Sequence, residues 1–198
     1  MSTEPHFNST ITSEEINELP LKAYEGKIIE ISDAEAAKKA FEEIAKHPAV
    51  GFDTETRPVF VRGQSHPVAL MQIALHNKVF LIRLKATGMT PEIIHFLQDE
   101  KILKVGVALR DDIKALQRMK RFKPGGVFEL TELSKKANIE AEGLKKLTAL
   151  VLGFRISKGA QTSNWEAEKL NEKQILYAAT DAWVCLEIYR KLRLKVQS

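Results

Sequence analysis

Two apolar segments, residues 68–75 and 78–84, stand only two residues apart in the chain. Each segment has the length of a strand, and the connecting pair, His76 and Asn77, suits a tight turn. The sequence therefore predicts an antiparallel hairpin. A hairpin of this kind commits the chain to a fold that is built around a β-sheet.

Other strand and helix signals surround the hairpin. Further strand candidates lie at residues 27–31, 50–56, 102–107 and 127–130. Helical patterns begin near residues 12, 32, 90 and 109, and the chain after residue 130 is expected to be helical apart from a loop at 155–164. Three consecutive strands form a meander, and two more follow through helical crossovers. This order predicts an α/β fold with a mixed five-stranded sheet and helices on both faces.

The chain divides into an extension and one domain. Residues 1–25 form an N-terminal extension, in which a capping box at residues 12–15 predicts a short helix that ends before Pro20. Residues 26–198 contain no internal repeat or low-complexity tract, so we expect a single domain there.

Net charge, cysteine count and the length of apolar runs limit which classes of protein this chain can belong to. The formal net charge of +4 is compatible with a phosphate-rich ligand but does not demonstrate one. The single cysteine, Cys185, rules out an internal disulfide and fits a reducing compartment. No apolar run approaches the ~20 residues that a membrane span needs, and residues 1–10 do not resemble a signal peptide. We therefore expect a cytoplasmic protein without a membrane partner.

The strand candidate at residues 50–56 carries two acids at alternate positions. Because alternate residues of a strand share a face, Asp53 and Glu55 point to the same side. Two carboxylates on one face of a central strand repel each other and are costly to bury. A hard divalent cation such as Mg²⁺ or Mn²⁺ would relieve both costs. The alternative is a strand end at which both acids are solvated.

A second acidic motif lies on the last helix. Tyr177 and Asp181 are four residues apart and therefore neighbours on one face, together with apolar Val184 and Ile188. A carboxylate within an apolar stripe needs a partner. This pattern indicates either a catalytic pair or a structural hydrogen bond between the tyrosine and the aspartate.

A third motif, Asp111 and Asp112, begins the helix that follows residues 102–107. Asp112 lies beside the helix face marked by Leu109 and Ile113, whereas Asp111 projects to nearly the opposite side. Asp112 is therefore the candidate for an inward-facing acid. Acids at a helix start also commonly serve as caps, which is the alternative for this pair.

The three motifs together resemble a known family. The strings FDTET (52–56), VGVALRDDIKAL (105–116) and YAATDA (177–182) are similar, in order and spacing, to the DEDD superfamily of 3'-5' exonucleases. The tyrosine of the last motif places the resemblance in the Tyr subclass. It covers roughly residues 27–193 and implies a ribonuclease H-like fold.

The resemblance also implies a mechanism. Asp53, Glu55, Asp112 and Asp181 would hold two Mg²⁺ or Mn²⁺ ions, and Tyr177 would orient the attacking water. The substrate would be DNA or RNA with a free 3' end, and the product a nucleoside 5'-monophosphate. Preference for DNA or RNA and the oligomeric state stay open.

Contacts to the substrate are expected from four residues. Thr54 lies within the first motif, Met71 on the neighbouring strand, Arg57 in the loop after the first motif, and Lys158 in the loop before the tyrosine helix. For Met71 the alternative is an ordinary core position. Two rival functions stay open: a catalytically inactive nucleic-acid-binding module with this fold, and an unrelated soluble enzyme.

Overall fold

The computed structural model describes residues 7–60 and 63–196. Within these residues, six strands form one mixed sheet in the order β1-β4-β3-β2-β5-β6. Their bounds are Lys27–Ile31 (β1), Ala49–Thr56 (β2), Val68–Ala74 (β3), Lys78–Arg83 (β4), Leu103–Gly106 (β5) and Val127–Glu129 (β6). The helices are Ser13–Glu18 (α1), Ala34–Ile44 (α2), Leu84–Thr87 (α3), Pro91–Gln98 (α4), Leu109–Met119 (α5), Leu130–Lys136 (α6), Leu144–Leu147 (α7) and Glu172–Val196 (α8).

The predicted meander is confirmed. Strands β2, β3 and β4 pair antiparallel, and the Leu75 amide donates to the Lys78 carbonyl at 2.8 Å across the tight turn. Strands β5 and β6 then continue the sheet in parallel beyond β2. Strand β2 therefore lies inside the sheet, with an antiparallel neighbour on one side and a parallel neighbour on the other.

The predicted number of five strands is wrong, because β1 adds a sixth. Strand β1 pairs parallel with β4, from Lys27 opposite Lys78 to Ile31 opposite Ile82. Strand β4 ends the meander and would otherwise leave its outer backbone groups unpaired. Apolar pattern alone identifies a strand but does not say which sheet edge it joins, so this pairing was not predictable from residues 27–31.

Helices cover both faces of the sheet, as predicted. On one face, α2, α4 and α5 pack over Val50 and Phe52 of β2 in a continuous hydrophobic cluster. On the other face, α8 lies across β2 and β3, and α6 packs beside it. Helix α8 runs for 25 residues and is buried along most of its length. The two faces of β2 therefore meet different surroundings.

The chain before β1 is fastened to the rest of the molecule. Helix α1 ends ahead of Pro20, as predicted. The Lys22 amide donates to the Arg155 carbonyl at 2.9 Å, and the Arg155 amide donates back to the Pro20 carbonyl at 3.0 Å. The Tyr24 amide donates to the Thr180 hydroxyl of α8 at 3.0 Å. Residues 19–24, called the N-terminal strap below, thus bind two parts of the chain that are distant in sequence.

The predicted loop at residues 155–164 is longer in the structure. A π-helical turn, Thr148–Leu152, follows α7, and irregular chain then runs from residue 153 to residue 171. Across residues 7–60 and 63–196, no helix combines the length and apolar character required to cross a bilayer.

Candidate active site

Strand β2 and helix α8 approach each other closely at Gly51. A Cβ atom added to Gly51 would press against the Ala182 carbonyl oxygen at far less than contact distance. Glycine therefore permits the backbone of α8 to lie directly on the strand. This close packing carries Asp181 towards the side chains of β2 that share the face of Gly51.

Three acids converge at this contact. Asp53 and Glu55 lie on the α8 side of β2, and one carboxylate oxygen of each lies within 4.8 Å of the other and of an Asp181 oxygen. Asp181 is 7% exposed. The alternation of Asp53 and Glu55 on one strand face, predicted from the sequence, is confirmed, and a solvated strand end is excluded for this pair.

Tyr177 lies one helical turn before Asp181, and its hydroxyl is near enough to the Asp181 carboxylate to lower the pKa of that acid. The tyrosine ring packs beside Trp165, with ring centroids 6.0 Å apart. Trp165 is fully buried. The ring contact with Trp165 holds the tyrosine beside Asp181, on the helix face that the spacing of four residues predicted.

Asp112 lies next to these three acids but outside their group. The Thr54 hydroxyl donates a hydrogen bond to Asp112, which ties α5 to the end of β2. Asp112 is partly buried, whereas the Asp111 side chain is 88% exposed and faces Lys114 at 3.7 Å. The predicted division between an inward Asp112 and an outward Asp111 is confirmed.

The start of α5 is capped by Glu129, which sequence reasoning missed. Ala108 adopts a left-handed conformation with φ 60°, and no side chain of α5 caps the helix. The Ala108 and Leu109 amides instead donate to the two carboxylate oxygens of Glu129, each at 3.0 Å. A cap that comes from β6, 20 residues away, leaves no local signal in the sequence. It also frees Asp112 from a capping role.

Burial and mutual repulsion dominate the electrostatics of the acids. Burial, and then the charges of Asp181 and Asp112, raise the pKa of Asp53 well above its usual range. Burial and the same neighbours raise the pKa of Glu55 to about 10. Burial raises the pKa of Asp181 to about 7, although the Tyr177 hydrogen bond and the Lys145 ammonium oppose the rise. Crowded carboxylates of this kind need a cation to ionise together.

The donor set fits hard divalent cations. Every ligand atom of the three-acid group is a carboxylate oxygen, which is the donor that Mg²⁺ and Mn²⁺ prefer. Burial also raises the pKa of Asp112 to about 6, and the Thr54 hydrogen bond lowers it in part. The charge of Asp112 in turn raises the pKa of Asp53 and of Glu55. A cation between these acids would replace their repulsion with attraction.

The acids open into a cavity of about 690 Å³. Thr54 and Lys158, both predicted substrate contacts, line it together with Gln161 and the lysines Lys145 and Lys146. Burial, followed by the charge of Lys158, lowers the pKa of Lys145 to about 8. Lysines and a carboxylate cluster thus line the same cavity. This combination suits a polyanionic ligand, because metal ions at the acids and the ammonium groups of the lysines would both attract it. Sequence reasoning missed Lys145, because nothing in residues 144–147 indicates that α7 folds over the acids.

The other two predicted contacts are placed differently. Arg57 is exposed beside the site and pairs with Glu166 at 3.5 Å. Met71 is fully buried in the hydrophobic cluster on the opposite face of the sheet. The structure therefore does not bring Met71 to the cavity, and its core position follows from the strand alternation that points Gln72 towards α8.

A mixed sheet with acids that converge in a cavity, together with three lysines in its lining, indicates a nuclease domain of ribonuclease H-like architecture. The chain belongs to the 3'-5' exonuclease family, whose sequence model matches residues 28–197. This assignment confirms the resemblance to the DEDD superfamily and excludes an unrelated enzyme class.

Two relatives illustrate the family. Exonuclease 3'-5' domain-containing protein 2 of Drosophila melanogaster is 35% identical over 72% of this chain and 25% of its own length. The bifunctional 3'-5' exonuclease/ATP-dependent helicase WRN of Mus musculus is 32% identical over 88% of this chain and 13% of its own length. The chain thus spans a quarter or less of these two relatives.

Solved structures share the fold. The Nibbler EXO domain of Aedes aegypti superposes with a TM-score of 0.79 at 20% identity, over 89% of this chain and 93% of that one. The RNase D of Trypanosoma brucei in complex with RNA U12 superposes with a TM-score of 0.70 at 21% identity, over 93% of this chain and 66% of that one.

Proposed function

We propose that this chain is an active 3'-5' exonuclease that hydrolyses phosphodiester bonds from a free 3' end and releases nucleoside 5'-monophosphates. The observation that carries the proposal is the convergence of Asp53, Glu55 and Asp181 beside a cavity with lysines in its wall. The family match supports the same conclusion. Acids that are brought together from β2 and from α8 against their mutual repulsion indicate a cation-binding purpose.

Four acids would hold the metals. Asp53, Glu55 and Asp181 form the group, and Asp112 would complete it from α5. Two Mg²⁺ or Mn²⁺ ions, when bound there, would supply an activated water and neutralise charge that develops on the phosphate. The carboxylates would fix the ions against the strand, and Thr54 would hold Asp112 in place.

Tyr177 would position the attacking water. Burial and the charges of Asp181 and Glu55 raise the pKa of its hydroxyl far above the ordinary value, so the phenol stays protonated. A protonated phenol is an unsuitable base but a good hydrogen-bond donor. Tyr177 lines the same cavity as Asp53 and Asp181, which puts its hydroxyl at the edge of the acids. From there it can direct a water towards phosphorus.

The substrate would be DNA or RNA. Lys158 and Thr54 line the cavity and would contact the terminal nucleotide. Arg57 would contact backbone phosphate after release from Glu166. The RNA bound to the similar RNase D of Trypanosoma brucei supports a nucleic acid ligand. A cytoplasmic location, supported by the free and buried Cys185, is part of the same proposal.

The test is a digestion panel with 5'-labelled and 3'-labelled strands of single-stranded DNA, recessed duplex DNA and RNA. With Mg²⁺ or Mn²⁺, the 5'-labelled strand should give a ladder that shortens from its 3' end. The Asp53→Ala variant should give no ladder while its circular dichroism stays unchanged. Binding without digestion by the unaltered protein would support the inactive binding module instead.

A further inference from the structure

A second cavity adjoins the active site on the far side of Tyr177. It has a volume of about 370 Å³ and shares Tyr177 and Asp181 with the larger cavity. The loop at residues 156–161 separates the two spaces. Its residues Lys158 and Gln161 line the larger cavity, whereas Gly159 lines the smaller one. The smaller cavity therefore begins where the acids and the tyrosine end.

The N-terminal strap builds one wall of this cavity. Lys22 and Ala23 line it, although both residues precede the part of the chain that the family model matches. The backbone bonds between the strap and Arg155, and the bond from Tyr24 to Thr180, hold this wall in place. Thr180 itself directly precedes Asp181. The strap is thus attached next to the catalytic motif of α8.

The lining suits one nucleotide unit of a strand. Two lysines, Lys22 and Lys173, stand on different walls, one on the strap and one on the first turn of α8. Leu176 and Ala160 supply apolar surface, and Leu176 is 40% exposed. Cations at the edge and apolar surface within match the phosphate and the sugar-base body of a nucleotide.

We propose that this cavity is a subsite for the nucleotide that precedes the terminal one, with Lys22 and Lys173 contacting its 5' phosphate. The inference rests on the proposed function, because the subsite is defined relative to the acids. A strand whose last phosphodiester lies at the acids must continue away from them, and the space beyond Tyr177 is the adjoining cavity. The strap thereby becomes part of the substrate site.

The binding test uses Lys22→Glu/Lys173→Glu in an Asp53→Ala background, so that the strand is not consumed. Its affinity for a fluorescent single-stranded 12-mer is measured by anisotropy in Mg²⁺. We expect binding at least about fivefold weaker than in the Asp53→Ala parent. The slope of log Kd against log salt should also fall by roughly 0.7, since loss of the contacts to one phosphate removes about 0.7 for a single strand.

The matched control is Lys39→Glu/Lys101→Glu in the same background. Both control lysines are exposed and lie outside the two cavities, and the net charge changes equally. An equal loss of affinity in the control and in the cavity variant would overturn the subsite. Digestion by the unaltered protein is followed in parallel, so failure of the proposed function is recognised separately.

Substrate length locates the subsite further. A dinucleotide without a 5'-terminal phosphate carries only the phosphate that is cleaved, so Lys22→Glu/Lys173→Glu should lower its kcat/KM much less than that of longer strands. Strands of three or more nucleotides should lose at least about fivefold in kcat/KM. An equal loss for the dinucleotide would place the lysines at the cleaved bond and would contradict the subsite.

A separate observation concerns Gln72, which stands directly opposite Asp53 in the β2–β3 ladder. Opposite residues of an antiparallel pair share a face and lie close together. Gln72 is fully buried, and neither its amide oxygen nor its amide nitrogen has a hydrogen-bond partner. A buried amide without partners is costly, so its retention beside Asp53 calls for a ligand-dependent partner.

We infer that Gln72 positions Asp53, by donating an amide hydrogen bond to its carboxylate in the metal-loaded protein. This inference also rests on the proposed function. The readout is metal affinity, measured by titration calorimetry with Mn²⁺ in the absence of substrate. Gln72→Met should bind Mn²⁺ about tenfold more weakly, the size of loss that partners of metal ligands typically cause.

Stability separates this role from a structural one. Without metal, Gln72→Met should unfold in urea at the same concentration as the unaltered protein or a higher one, because an unpaired amide is removed. Gln174→Met is the matched control: Gln174 is also buried, but its amide bonds to Asn171 and Asn164. It should lose stability and keep its Mn²⁺ affinity. A loss of stability in both Gln72→Met and Gln72→Leu without metal would indicate a structural role and would contradict the inference.

Unchanged Mn²⁺ affinity in the folded Gln72 variant would overturn the inference. Absence of Mn²⁺ binding by the unaltered protein would instead count against the proposed function, so the two failures are distinguishable.

Discussion

The two faces of the sheet differ in the partners that they provide for charged side chains in the interior. On the face covered by α4, Lys104 is fully buried, and its ammonium donates to the Phe96 and Asp99 carbonyls at 3.0 and 2.6 Å. The same ammonium lies 5.1 Å from the centre of the Phe96 ring. Although burial lowers its pKa to about 8, the end of α4 supplies every partner that Lys104 requires.

On the face covered by α8, buried acids have one another as neighbours. The charges of Asp181 and Asp112 raise the pKa of Asp53, and those of Asp53 and Asp181 raise the pKa of Glu55, whereas Tyr177 and Lys145 only partly oppose the rise at Asp181. A charge whose partners belong to the chain contributes to folding. A charge whose partners must come from outside marks a binding site. The comparison predicts that substitutions on the α8 face mainly lower the rate of hydrolysis, whereas substitutions on the α4 face mainly lower the free energy of unfolding.

The largest expected effect is on catalysis by Asp53→Asn. Loss of a carboxylate from the group should lower single-turnover hydrolysis by at least about 10³-fold. The free energy of unfolding without metal should stay equal or rise, because a repelled charge is removed. Urea unfolding in EDTA measures the free energy of unfolding without metal. A variant that is both active and destabilised would reverse the comparison.

Tyr177→Phe should have the next largest effect. Removal of the hydroxyl leaves the ring packed on Trp165 but eliminates the donor that would position water. We expect kcat to fall about 100-fold with little change in KM, measured by steady-state hydrolysis of a short strand. Full activity would exclude a role for the hydroxyl in the reaction.

Lys104→Met tests the opposite face. The Phe96 and Asp99 carbonyls would lose a buried donor, so the free energy of unfolding should fall by about 2 kcal/mol. Hydrolysis at a temperature at which the variant is folded should be unchanged. Lys101→Met, an exposed neighbour, is the control and should change neither quantity. Loss of activity in the folded Lys104 variant would show that the two faces are coupled.

The last expected effect is the pH dependence of stability without metal. In the folded chain the pKa is about 6 for Asp112, about 7 for Asp181 and about 10 for Glu55, all above their ordinary values. The folded state therefore keeps protons that the unfolded state releases. The resulting stability is complete at low pH and is lost as pH rises through the folded pKa values.

Between pH 5.5 and pH 8 in EDTA, Tm should consequently fall by at least roughly 6 °C, because proton release from Asp112 and Asp181 alone costs more than about 2 kcal/mol over this range and 1 kcal/mol corresponds to about 3 °C for a chain of this size. Saturating Mg²⁺ should reduce this fall, because bound cations favour the ionised acids. Scanning calorimetry at both pH values, with and without Mg²⁺, measures the difference. A fall that Mg²⁺ does not alter would separate the pH dependence from the acidic group.

The acids of the candidate site were predictable from the sequence, and much of their surroundings was not. Strand alternation placed Asp53 and Glu55 on one side, and helical spacing placed Tyr177 beside Asp181. Such periodicities are local and survive folding. Lys145 and Glu129 reach the site from elements whose positions depend on tertiary packing. The strand at residues 27–31 was predicted, but its place in the sheet was missed for a related reason, since edge pairing depends on which backbone is left unpaired.

The close approach at Gly51 has a consequence for inherited or engineered variation. Strand β2 and helix α8 can lie this close because Gly51 carries a hydrogen atom where every other residue carries a Cβ atom. Any replacement at this position would push β2 and α8 apart. The carboxylates of Asp53 and Glu55 would then lie farther from that of Asp181, and a cation that needs all three would bind less well. An inactive protein could thus retain each reactive group unchanged, and a survey restricted to those groups would overlook the cause.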